Sequence, residues 1–200
     1  MKIEHLAEPE LEFGTGKHID IRFGLMNYKP FDYKDIRAPK AIKLGLIGTN
    51  ETIEGVSTWV EKCSQGIPAK ESNKYTLFPE FPGFGENTNL PAPLTSTAHR
   101  PIKLSEFEKI LKLEKQEDIV TQTAALFLEE IEYLTQSSAV DIAVCAIPDI
   151  LVDYLENRDA ESNKSTHKDF RDYLKARAMR FLMHTQLILP STYDTSKRRQ

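Results

Sequence analysis

Ala41-Ile42-Lys43-Leu44-Gly45-Leu46-Ile47-Gly48 is an almost continuous apolar run of strand length. A strand with one wet face would alternate, so this run reads as a strand covered on both faces. Thr49-Asn50-Glu51 follows at once, with N-cap chemistry and an early acid. Ile53, Val56, Val60 and Cys63 then recur at helical spacing, up to Gly66-Ile67-Pro68. Strand, short turn and helix together open an α/β unit.

The same grammar continues downstream. Ser105-Glu106-Phe107-Glu108 fits a capping box. A helical pattern runs from there to about Gln136, with a break near Lys115. Its second half repeats through Val120, Ala124, Phe127, Ile131 and Leu134. The run Val140 to Ile147 reads as a second central strand, and Ile150, Leu151 and Tyr154 as a short helix after it. Residues 156–168 are polar and read as an exposed loop. From Asp169, Phe170, Leu174 and Phe181 mark a helix, and Gln186–Leu189 a short third strand. The order predicts an α/β, Rossmann-like domain over residues 38–200. Ile42–Ile47, Val140–Ala146 and Gln186–Leu189 should share one mostly parallel sheet with helices on both faces.

Upstream, residues 1–37 read as an extended, irregular lead-in. Leu11-Glu12-Phe13 is a short strand closed by Gly14, and Gly24 to Asp32 is rich in turn residues. Leu11, Phe13, Leu25, Tyr28 and Phe31 are apolar with no amphipathic element to bury them. Burying one such side chain is worth about 1.5–3 kcal/mol, while ordering each residue's backbone costs about 1–2. The lead-in is therefore expected to be ordered mainly by a surface outside the α/β body. Residues 77–101 hold five prolines and two glycines and read as a long irregular segment. Phe78, Phe81 and Phe84 within it are expected to pack on the domain itself.

Composition removes several classes. Apolar residues make up 40% and charged residues 28%, which is ordinary for a globular protein. No apolar run approaches the ~20 residues that cross a bilayer. The start is not a signal peptide, so a cytoplasmic location is expected. Cys63 and Cys145 sit in apolar patterns and read as reduced, buried residues, with no zinc spacing. The net charge of −4 is unevenly spread. From Lys164 to Arg199 there are nine Lys or Arg against three Asp, a balance of +6 that leaves −10 on the rest.

That basic segment carries the candidate site. Arg171 and Lys175 are four apart, so they stack on one helix flank. With Thr185 and Gln186 at the next turn, they could hold one small anion such as a terminal phosphate. Gly14-x-Gly16 precedes no helix pattern, so it is not a dinucleotide loop. No acid pair, Ser-His-Asp set or metal cluster stands out. His18, His99, His167 and His184 are scattered, and only His184 lies near the site. No catalytic residue is assigned.

Three stretches, read together, resemble prokaryotic Argonautes, over the MID domain and the segment before it. Leu11-x-Phe13-Gly14 and Gly24-Leu25-x-x-Tyr28-x-Pro30-Phe31-Asp32 are similar to the family's Gly-Leu-x-x-Tyr-Gly-Pro-Phe approach to that domain, with Lys29 in place of a usual Gly. The second is strand Ile42–Ile47 with its helix and Leu77-Phe78-Pro79-x-Phe81-Pro82-Gly83-Phe84. The third is Leu174-Lys175-Ala176 followed by Thr185-Gln186, similar to the Lys-then-Gln pair that grips a guide strand's 5′ phosphate. Arg171 stands where the family often has Tyr or His stacking on the first base.

A start at the approach segment, with no PAZ-like region before it, resembles the short Argonautes. The resemblance implies a guide-binding MID module without chemistry of its own, with a PIWI lobe expected after Gln200. It implies guide RNA or DNA and complementary target DNA as ligands, in defence against invading DNA. It also implies an APAZ-containing effector partner, sirtuin-like or TIR, and no membrane. No cofactor is expected in this chain alone, and Mg2+ at the guide phosphate in the complete protein. Two other readings stand beside it. One is a Rossmann-like enzyme domain binding a nucleotide or small anion; the other is a structural half of a heterodimer.

Overall fold

The computed structural model describes residues 8–69, 71, 80–85, 90–137, 140–162, 166–194 and 196. Leu77, Phe78 and Pro79 of the aromatic stretch lie outside them. The chain divides into two compact units. One comprises Met1–Ala41 and Glu61–Pro93, the other Ile42–Val60 and Leu94–Gln200. The first unit thus takes in the expected 1–37 segment, four further residues, and 61–93.

The second unit is a Rossmann-like α/β fold. Its sheet has the order β4-β3-β5-β6, with β3 Ala41–Gly48, β4 Ala92–Pro101, β5 Ile142–Ala146 and β6 His184–Ile188. β3, β5 and β6 are parallel, with Leu46 opposite Val144 and Val144 opposite Gln186. The three strands read from the sequence therefore share one sheet. β4 was not expected. Bonds from Ala92 N to Lys40 O and from Ile102 N to Gly48 O, one at each end, give it the direction of β3. Its residues sit in the stretch read as irregular, because Pro93 and Pro101 interrupt it; proline is tolerated in an edge strand.

Side-chain alternation divides the core into two layers. Leu44, Leu46, Val144 and Ala146 face Ile53, Val56 and Val60 of α2, which spans Asn50–Ser64. Ile47, Ala143, Cys145 and Ile147 face the opposite layer of helices. That layer holds α3 Leu104–Ile110, α4 Gln116–Ser137, α5 Asp149–Ser162 and α6 Thr166–Ala178. Phe107, Phe127 and Phe170 are almost fully buried and tie α3, α4 and α6 together, with ring centroids 5.8 and 6.4 Å apart. Two local expectations differ. Ser105 is inside α3, whose N-cap Lys103 makes no side-chain cap bond, so no capping box forms. The polar stretch after 156 continues α5 to Ser162 instead of forming a loop.

In the first unit, β1 Leu11–Glu12 and β2 Lys17–His18 form a small antiparallel hairpin. The stretch read as turns contains α1, Ile21–Tyr28. The Asp20 carboxylate caps it by accepting from the Phe23 amide at 2.8 Å. Gly24 lies inside the helix, with the Phe13 ring where its Cβ would stand. Phe13 is buried, Leu25 and Tyr28 are half-buried, and Phe31 remains 71% exposed. The segment is thus partly ordered by its own hairpin and helix. Phe81 bridges Ile67 and its ring meets Phe84 edge-on, so these two aromatics pack within the first unit.

Candidate nucleic-acid interface

Loops leave β3 and β5 toward opposite faces of the sheet, which opens a crevice at their carboxyl ends. In such folds small ligands are commonly held there. Here that end of the sheet carries Thr52 and acidic side chains. The Thr52 hydroxyl sits over it, 3.1 Å from Thr49 O and 3.3 Å from Ala146 O. α7, Pro190–Tyr193, brings Tyr193 to the same end of the sheet. Burial, then the charges of Asp149, Glu51 and Asp194, push its phenol up to about 12. Three carboxylates around one phenol do not suit a phosphate.

The cations lie elsewhere, on α6. Phe170, Leu174 and Ala178 are its buried stripe. On a helical turn, Arg171 and Lys175 fall to one side of Leu174, and Tyr173 and Arg177 to the other. Arg171 is exposed and Lys175 half-buried. Among the described residues, neither side chain makes an ion pair or a hydrogen bond. Among the described residues these two stacked cations are therefore uncompensated. α6 leads through the turn Met179–Phe181 to the start of β6, so Lys175, near the end of α6, lies toward the amino ends of the strands and away from that rim.

Thr185 and Gln186 are neighbours on β6 and so point to opposite faces. Thr185 shares its side with Leu187 in the α4–α6 layer, and its hydroxyl donates to Met183 O at 3.3 Å. Gln186 shares its side with Ile188 in the α2 layer. Its amide is exposed and donates to Leu187 O at 3.1 Å. Ile188 O is turned to β5, where it accepts from Ile147 N, so Leu187 O is turned to the outer edge. The structure thus brings Arg171 and Lys175 together, and leaves Thr185 and Gln186 engaged with backbone carbonyls. His184 is exposed at the start of β6.

The sequence reading passed over Arg177 and Arg180. The Arg177 guanidinium lies 5.2 Å from the Tyr173 ring centroid, and that of Arg180 lies 4.5 Å from Phe181. The i, i+4 spacing of Tyr173 and Arg177 was the available signal. Among the described residues, no group of three His, Cys, Asp or Glu is placed to hold a metal. A cavity of about 420 Å3 lies within the first unit, lined by Pro30, Tyr33, Ile36, Pro39, Leu90 and Pro91 among others. Its wall also carries Asp32, Asp35 and Lys40, and the two carboxylates do not suit a phosphate.

No protein-family model and no curated protein matches the chain. Among the described residues, no helix is long and apolar enough to cross a membrane.

Proposed function

We propose that this chain holds the 5′-phosphate end of a guide strand, as the MID module of a short prokaryotic Argonaute. The observation that carries the reading is the Arg171–Lys175 pair, one turn apart on α6 and without an ion-pair partner among the described residues. A terminal phosphate offers two negative charges and several acceptors to such a pair. Lys175 is the primary phosphate ligand, and Arg171 either pairs with the same phosphate or stacks on the first base. Thr185, on the α4–α6 side of the sheet, adds a donor by rotating away from the carbonyl it now satisfies, whereas Gln186 points to the other face and stands outside this pair. Base pairing by the guide, not this surface, then reads the target DNA.

In this reading the chain performs no chemistry and works in the cytoplasm. A defensive output belongs to an APAZ-containing effector partner, sirtuin-like or TIR. Support for a partner comes from the first unit, where Phe31 and Ile36 are exposed. The acidic crevice weighs against the rival reading of a nucleotide-binding enzyme domain.

Fluorescence anisotropy with one single strand, prepared with a 5′ phosphate and with a 5′ hydroxyl, tests the proposal. A preference of about tenfold or more for the phosphate is expected, equivalent to roughly 1.4 kcal/mol. Equal affinities would overturn it.

A further inference from the structure

Between α2 and the edge strand β4 lies a second cavity, of about 280 Å3, with room for a ligand of side-chain size. Asn50, Glu54 and Ser57 stand at i, i+4 and i+7 on α2 and share one flank of it, beside the stripe of Ile53, Val56 and Val60 that faces the sheet. His99 and Pro101 enter from β4. They are two residues apart and share one side of the strand. Arg100 between them points to the other side, where it is bonded to Glu130 of α4. Strand alternation thus removes the neighbouring cation, and no lysine or arginine lines the cleft. The positive end of α2 is offset by Glu51 in its first turn.

The polar groups of the cleft are mostly acceptors. His99 Nε2 lies 2.7 Å from Thr95 O, so this nitrogen carries the proton, and the neutral ring keeps a lone pair on Nδ1. The Ser57 hydroxyl donates to Thr95 Oγ1 at 3.2 Å, which leaves its own oxygen free to accept. Glu54 is exposed and, among the described residues, has no ion-pair partner. Ile53 and Pro101 supply the apolar wall. A free carboxylate, two further acceptors and an apolar wall match a positively charged group with several N–H donors on an aliphatic stem.

We infer that this cleft binds a small organic cation, an alkyl guanidinium or ammonium, with Glu54 as its charge partner and His99 and Ser57 as acceptors. The site shares no residue with the Arg171–Lys175 pair and does not depend on the guide-end proposal.

The test is a titration of the whole chain with agmatine, which carries both cationic groups on a short aliphatic stem, followed by backbone amide NMR shifts. Saturable shifts are expected on α2 between Asn50 and Thr58 and at His99. Exposed ion pairs are weak, so Glu54→Gln should weaken the binding by about threefold to fivefold. His99→Phe, which keeps a ring and removes the acceptor, should weaken it as well. Glu51→Gln should leave it unchanged, although Glu51 is also on α2 and is one of the acids around Tyr193. A capped arginine should bind less well than agmatine, because its peptide groups extend past the cleft. Tighter binding of the capped arginine would assign the cleft to a side chain of another protein and overturn the inference. Shifts that do not saturate, or that vanish with Glu51→Gln and survive Glu54→Gln, overturn it too.

Discussion

Tyr193 lies against the bare backbone of Gly55, where a Cβ would come within 2.5 Å of the ring. This packing joins α7, after the last strand, to α2 on the same face of the sheet. Helix propensity alone would favour Gly55→Ala by about 1 kcal/mol. Overpacking against a large ring costs about 1–3 kcal/mol. Gly55→Ala is therefore expected to destabilise the chain, and to become stabilising in a Tyr193→Ala background. Urea midpoints of the four proteins check this; a stabilising Gly55→Ala in the wild type would contradict the packing.

Lys29 and Leu182 carry backbone conformations meant for other residues. Lys29 has φ 66 and ψ 164, a region that glycine alone occupies easily. It is also the position where the Argonaute resemblance has Gly. Lys29→Gly should raise stability by about 1 kcal/mol, after allowing for the extra entropy of an unfolded glycine. Leu182 is left-handed at φ 54 and ψ 25, and it is 96% exposed, so little packing opposes its replacement. Leu182→Asn should gain about 0.5–1 kcal/mol. A lower urea midpoint for either variant would refute its assignment.

Burial of Tyr193, reinforced by the acids around it, predicts an alkaline signature. An unfolded tyrosine loses its proton near pH ~10. In the folded chain the phenol is held up to about 12. Between these values the folded state keeps more protons than the unfolded state, so stability falls as pH rises. The contribution is complete below pH ~10 and lost as pH passes through the folded value. Tyr193→Phe should lose less stability than the wild type between about pH 9 and about pH 11. Equal losses would show that neither burial nor the carboxylates hold this phenol up.

Much of the second unit was legible because burial on both faces writes unbroken apolar runs. Ile42–Ile47 and the run ending at Ile147 could be little else. β4 was hidden because an edge strand needs less apolar sequence and tolerates Pro93 and Pro101. α1 was hidden because Gly24 looks like a turn until the Phe13 ring is seen in its Cβ position. At Ser105 the capping pattern was present without the bond, since the helix begins one residue earlier, at Leu104.

The site was legible in part for the same reason. Helical spacing alone places Arg171 beside Lys175. The period of two along a strand also separates Thr185 from Gln186, and that signal was in the sequence. Whether a cation is already neutralised by an acid distant in sequence cannot be read from spacing. Arg100 has Glu130, whereas Arg171 and Lys175 have no such partner among the described residues.

Lys175→Ala, measured against 5′-phosphorylated and 5′-hydroxyl forms of one strand, tests the guide-end proposal most directly. A charge-assisted bond of this kind is worth about 1.5–3 kcal/mol, or roughly one to two decades of affinity. The account predicts that the variant loses that much affinity for the phosphorylated strand and almost none for the hydroxyl strand. Equal loss for both strands would make Lys175 a general backbone contact and contradict the account.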